Sequence, residues 1–224
     1  MLKSLRSNMD SFKRVDFRPG YNLILADRQS APGEEDDSRK TRNGAGESTL
    51  MEIIHFCLGA RVEKGSIFMS REFEGWSFIL EFSVGNHDIE IERTVNLPDK
   101  VYFHRISSGL NWNTKYDKDM QLPCTSLSTY NEGLHSLFFG LPKNESDGLL
   151  SFRELISYFA RRNTDGYQDP FRFWKSQPEH SRQACNAYFL DLNMEFVAKF
   201  QKLKEEAKSI EIYRKAVTSG MIDP

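Results

Sequence analysis

The apolar positions divide the chain into a β-rich first part and a helical second part. Trp76, Phe78, Leu80, Phe82 and Val84 alternate strictly with their neighbours, Gly85-Asn86 follows, and Ile89, Ile91 and Val95 continue with Glu90 and Glu92 interleaved. A period of two on both sides of a Gly-Asn turn predicts a half-buried antiparallel hairpin. A further strand is predicted over 101–106, while the polar stretch 107–125 yields no element. Upstream, residues 2–27 predict strands. Phe12, Val15 and Phe17 lead to the turn Arg18-Pro19-Gly20, and Tyr21 to Ala26 is a short apolar run of the kind a buried strand shows.

The helical signals have a different period. Leu50, Ile53, Ile54, Cys57 and Leu58 form one stripe over 48–59, with Gly59 as the stop and His55 on the polar side. Leu134, Leu137 and Phe138 predict a helix over 128–139, ended by Gly140-Leu141-Pro142. Ser151 with Glu154 is a capping box. The helix it opens has Phe152, Leu155, Ile156, Phe159 and Ala160 on one side and Arg153, Arg161 and Arg162 on the other. An aromatic loop over 166–177 (Tyr167, Phe171, Phe173, Trp174) precedes Pro178, which is expected in the first turn of a long last helix. From Met194 that helix changes character. Phe196, Phe200, Leu203, Ala207, Ile210, Arg214 and Val217 are spaced alternately by four and three, an a/d heptad register expected at the start of a coiled coil.

Charge and composition narrow the function classes. With 30 Lys+Arg against 32 Asp+Glu in 224 residues the net charge is −2, so no global field favours nucleic acid or anionic lipid. No apolar run approaches the ~20 residues of a membrane span and no secretion signal opens the chain, so no membrane partner and a cytoplasmic location are expected. Cys57, Cys124 and Cys185 are scattered without a C-x-x-C pair and are expected as reduced thiols. His55, His87, His104, His135 and His180 pair with no ligand set, so no metal site is expected beyond a nucleotide-bound Mg²⁺.

The chemistry centres on 41–60. Asn43-Gly44-Ala45-Gly46-Glu47-Ser48-Thr49 runs straight into the predicted helix, whose free N–H groups and partial positive charge suit an anion. Against the phosphate-loop pattern G-x-x-x-x-G-K-[ST], Gly46 and Ser48 stand in place. Thr41 occupies the first glycine position and Glu47 the lysine position. Before the motif, 28–40 carries the run Glu34-Glu35-Asp36-Asp37, which reads as a solvated insertion or as a lid or docking loop beside the site.

Taken with Ser11-Phe12-Lys13-Arg14-Val15-Asp16-Phe17, Pro19-Gly20-Tyr21-Asn22-Leu23-Ile24 and the helix ending Phe56-Cys57-Leu58-Gly59, this order of motifs resembles the N-terminal half of an SMC/RecN-type ABC ATPase head. It is most similar to the SMC-like ATPases of bacterial anti-phage defence systems of the ABC three-component or Lamassu-like kind. The resemblance is close over 2–60 and holds over 61–195 only in the order of elements. It implies an α/β fold: an ABC-ATPase head half with a P-loop, an antiparallel β section, a helical section and the start of a coiled coil. Residues 1–195 would form the N-terminal lobe and 196–220 the start of the arm. The resemblance also implies ATP and Mg²⁺ as cofactors, held by Arg42, Asn43, Gly44, Ala45, Gly46, Glu47, Ser48 and Thr49, with Ser48 on the metal. Implied partners are a second copy of the head as a homodimer, or the C-terminal half of the same head, with DNA and effector subunits of a defence complex as candidates. Lys143, Arg153, Arg161 and Arg162 are the candidate DNA contacts; the alternative is an ordinary solvated helix face.

The departures matter as much. No S-G-G signature, no apolar strand ending in Asp-Glu and no later histidine switch is found. Ala187-Tyr188-Phe189-Leu190-Asp191 has Leu192 where a glutamate belongs and reads as helix. The chain is therefore expected to be half a head or a piece of a longer protein, without hydrolysis on its own. Glu47 is either an introduced exchange in an active ATPase or a native residue of a pseudo-ATPase. The competing functions are an ATP-driven DNA-sensing or DNA-clamping head, a nucleotide-independent scaffold holding partners through the coiled coil and the aromatic loop, and a stand-alone P-loop kinase or GTPase. The antiparallel section and the missing lysine argue against the last.

Overall fold

A computed structural model describes residues 1–24, 47–140, 150–162 and 164–219. The chain divides into two compact units, Met1–Gly140 and Leu141–Pro224. The expected 195/196 division falls inside the second unit, at the start of its last helix.

Among the described residues, the first unit is a seven-stranded, wholly antiparallel sheet in the order β2-β1-β3-β4-β5-β7-β6. Its centre is the predicted hairpin, β3 (Ser77–Val84) and β4 (His87–Thr94), closed by Gly85 at φ 56°. β1 (Leu2–Ser7) and the two-residue β2 (Val15–Asp16) extend one side. β5 (Lys100–Ile106), β7 (Leu122–Ser126) and β6 (Lys115–Asp117) extend the other, so the polar stretch without an assigned element supplies two strands. Alternation places Leu5, Phe78, Leu80, Phe82, Ile89, Ile91, Val101 and Phe103 in the core, each almost fully buried. The interleaved positions of the central strands form ion pairs across the sheet, Lys3–Asp88 at 2.7 Å, Arg6–Glu90 at 2.6 Å and Arg105–Glu81 at 3.1 Å, and His104 and Glu92 share a hydrogen bond of 2.7 Å.

Two helices pack on the sheet. α1 (Glu47–Cys57) lies on β3 and β4, and α2 (Leu127–Phe139) on β5 and β7. An aromatic cluster of Phe12, Phe56, Phe68, Phe73, Trp76 and Phe78 fills the α1 side, with ring centroids 4.6–6.2 Å apart. On the α2 side Trp112 stacks against Phe103 and Tyr130. Gly133 admits that ring, since a Cβ there would stand 2.5 Å from it.

The start of the chain corrects the sequence reading. The run Tyr21 to Ala26 is not a buried strand over its described part: residues 21–24 are irregular, and Tyr21 is 88% and Leu23 65% exposed. Asn22 explains it locally. Its side-chain oxygen accepts from the Arg18 amide and its nitrogen donates to the Arg18 and Gly20 carbonyls, closing 18–22 into a turn around Gly20 at φ 90°. Phe12 likewise lies in a turn and joins the core through its ring alone.

The second unit is helical. The Ser151 capping box is present, but α3 (Phe152–Ser157) is six residues long. Its end tightens into Tyr158 N–H to Leu155 and Phe159 N–H to Ile156 carbonyl bonds, so Phe159 leaves the stripe and is 69% exposed. The expected long last helix is two, α4 (Glu179–Phe189) and α5 (Met194–Thr218). Asp191 at φ 53° breaks the run and Asn193 caps α5 by accepting from the Glu195 amide.

Candidate phosphate site at the start of the first helix

α1 begins at Glu47, directly after the glycine-rich motif. Arg42, Asn43, Gly44, Ala45 and Gly46 lie outside the described residues, as does Lys143, and the side chains of Glu47 and Ser48 are not described. Thr49 is half-buried in the first turn. What is defined is how the rest of α1 is held.

The helix turns inward as it proceeds, and Ile53 to Leu58 are all buried. His55 is among them at 0% exposure, which corrects the expectation of a polar-side histidine: the last turns are enclosed on all sides. A helix ending inside a core leaves carbonyls without intrahelical donors. Three side chains supply them. Arg93, reaching in from β4, donates to the Phe56 and Ala60 carbonyls, the latter at 2.8 Å, and to the Pro98 carbonyl. Tyr130 donates to Cys57 O at 3.1 Å and Asn131 to Gly59 O at 3.0 Å, both from α2. Gly59, at φ 87°, turns the chain out of the helix, and a Cβ on it would strike Asn131.

Arg93 is the largest side chain in the fully buried set. Its guanidinium carbon lies 4.0 Å from the Phe56 ring centroid, a desolvated cation–π contact. Burial lowers its pKa to about 10, with Cys57, Tyr130 and Asp99 opposing the shift, so the cation persists at neutral pH beside the negative end of the helix dipole. The same burial pushes the Cys57 thiol up to about 12, with Arg93 pulling the other way. The sequence reading passed over Arg93. The available signal was phase, because Arg93 shares the inward parity of Ile89 and Ile91, where a cation must find partners.

The arginines proposed for DNA are not gathered on one helix face. Arg153 is in α3, and Arg161 and Arg162 follow its end. Arg161 organises the aromatic loop. It donates to the carbonyls of Tyr158 at 3.0 Å, Gly166 at 2.7 Å, Asp169 at 3.1 Å and Pro170 at 2.8 Å. Four of its five N–H donors are thus committed to backbone. The loop it shapes leaves Tyr167, Phe171 and Trp174 more than half exposed. The stretch Ala187 to Asp191 is the end of α4 and its left-handed turn, not a strand.

Among the described residues no group of His, Cys, Asp and Glu could hold a metal ion, and no helix is long and apolar enough to cross a membrane. The class defined by these observations is a mixed α/β chain, an antiparallel sheet bearing two helices followed by a helical unit. No family model, curated protein or solved structure matches it.

Proposed function

We propose that the chain is one half of an SMC-like ABC ATPase head, serving as the DNA-sensing or DNA-clamping part of a bacterial defence or DNA-repair complex, with its phosphate loop disarmed by Glu47. The observation that carries this reading is the junction at Asn43 to Thr49, where the glycine-rich motif meets the first turn of a helix whose other end is anchored by Arg93, Tyr130 and Asn131. A helix fixed at its C-terminus presents its N-terminal amides at a constant place, which is what phosphate capture needs. Backbone amides of 43–48, the Ser48 hydroxyl toward Mg²⁺ and Thr49 near the α-phosphate would form the cradle.

Glu47 decides its strength. A cation ~4 Å from a phosphate charge contributes on the order of 4 kcal/mol at an effective dielectric near 20, and a carboxylate there reverses the sign. Glu47→Lys is therefore expected to tighten Mg-ATP binding by on the order of 100-fold or more, measured by titration with a fluorescent ATP analogue. Equal and negligible binding by both proteins would sink the phosphate-site reading.

A second reading, a nucleotide-independent scaffold, is favoured by Glu47 together with the exposed rings of Tyr167, Phe171 and Trp174. It requires partners to assemble with the chain irrespective of nucleotide, in the wild type and in Glu47→Lys alike.

A further inference from the structure

α5 has two working faces. Met194, Val197, Ala198 and Gln201 turn toward α4, where Gln201 donates to Gln183 at 3.0 Å. The opposite face carries Phe196, Phe200, Leu203, Ala207 and Ile210, all exposed, with Phe196 at 69% and Leu203 at 63%. At 100° per residue the two sets are centred about 150° apart, so packing on α4 leaves the whole apolar seam uncovered.

The flanking charges select what covers it. With Phe200 and Ala207 at a and Leu203 and Ile210 at d, the g positions are Lys199 and Glu206 and the e positions Lys204 and Glu211. A parallel pair of these helices would set Lys199 against Lys204 and Glu206 against Glu211, and would bury Arg214 against its own copy. An antiparallel pair centred between residues 201 and 202 does the reverse. Phe200 meets Leu203, Phe196 meets Ala207 and Lys199 meets Glu206 on each side, with Arg214 beyond the overlap. Sliding by one heptad brings Lys204 against Lys204 and Glu206 against Glu206, and sliding by two sets Arg214 on Leu203. One orientation and one register thus satisfy both the ring-against-aliphatic packing and the charges.

We propose that the exposed seam of α5 is a self-association surface that pairs antiparallel with α5 of a second copy, Phe200 and Leu203 at its centre. The surface concerns α5 alone and does not depend on the phosphate loop.

The test is sedimentation equilibrium of the whole chain without nucleotide, across protein concentration. A reversible dimer is expected, lost in Leu203→Glu, whose circular dichroism should stay that of the wild type because the position is exposed. Lys199→Glu and Glu206→Lys should each weaken the dimer by roughly 10-fold, since two attractive contacts become repulsive, and the double exchange should restore it. A parallel pair reverses the sign, each single exchange then tightening the dimer. A monomer at all concentrations, a dimer indifferent to Leu203→Glu, or strengthening by the single exchanges would each overturn the proposal.

Discussion

Arg93→Met is the sharpest perturbation of the first unit. Methionine keeps much of the length and fills much of the space, so the loss is electrostatic rather than a cavity. Burial disfavours the cation by about 3 kcal/mol, the equivalent of moving its pKa from 12.5 to about 10. Against this stand bonds to the Phe56, Ala60 and Pro98 carbonyls, at roughly 1.5–3 kcal/mol each for a charged donor, about 4–9 in all. The balance favours the arginine by a few kcal/mol before the Phe56 ring and the helix dipole are counted. Removing it also takes the side-chain donor from the part-buried Ala60 and Pro98 carbonyls, while the Phe56 carbonyl keeps the Gly59 amide at 3.0 Å. The expected loss is about 3 kcal/mol, a large part of the 5–15 typical of a domain.

The assay is urea unfolding followed by the fluorescence of Trp76 and Trp112, which lie on the two sides of the core. Arg93→Met should lower the midpoint at unchanged slope, and amide exchange in the second half of α1 should quicken while α2 stays protected. Arg93→Lys should recover little, because one ammonium cannot reach three divergent carbonyls with a planar fork. A variant within 0.5 kcal/mol of wild type would refute the clamp, and Arg93 would then be a tolerated burial rather than the anchor of α1.

Two more outcomes follow from buried groups. Burial holds His135 below its ordinary 6.5, so the unfolded chain takes up that proton first as pH falls. Stability from this group is complete above 6.5 and declines as pH drops through 6.5 toward the lowered native value, and His135→Leu should flatten the midpoint-versus-pH curve in that window. The thiols of Cys57 and Cys185 are both pushed up to about 12 by burial, while Cys124 is half-exposed. Native protein at pH 8 should accordingly react with one equivalent of Ellman's reagent and unfolded protein with three; rapid labelling of Cys57 would contradict the enclosed end of α1.

Much of the architecture was legible because it depends on periodicity. The β3–β4 hairpin, β5, α1, α2 and the Ser151 capping box rest on two-fold or 3.6-fold spacing and on local caps, which neighbours in sequence determine. The failures share a cause, the choice between a local and a distant partner. Tyr21 to Ile24 has a strand's composition, but Asn22 closes a turn first, and β1 has already taken β2 as its outer neighbour. β6 and β7 are legible only once β5 offers an edge, since Lys115-Tyr116-Asp117 has no apolar alternation of its own. Arg161 looked like a surface cation because nothing in its sequence neighbourhood announces three carbonyls arriving from the loop after it, beside that of Tyr158 before it.

The same contrast separates the two ends of the proposed machine. α1 is held where it ends, by donors from β4 and α2 that only the folded sheet brings together, so its orientation is a tertiary property. α5 is the opposite case. Its heptad seam is written in the sequence and remains exposed in the fold, because it is the other face, with Met194, Val197, Ala198 and Gln201, that turns toward α4. A seam of Phe196, Phe200, Leu203 and Ile210 left in water carries a standing hydrophobic penalty of several kcal/mol at ~25 cal/mol per Å². The anchored α1, with its proposed phosphate site, and the uncovered seam can therefore be altered separately. Glu47→Lys should change nucleotide affinity without moving the dimer equilibrium, and Leu203→Glu should abolish the dimer without moving nucleotide affinity. Coupling between those two variants would mean that the units communicate.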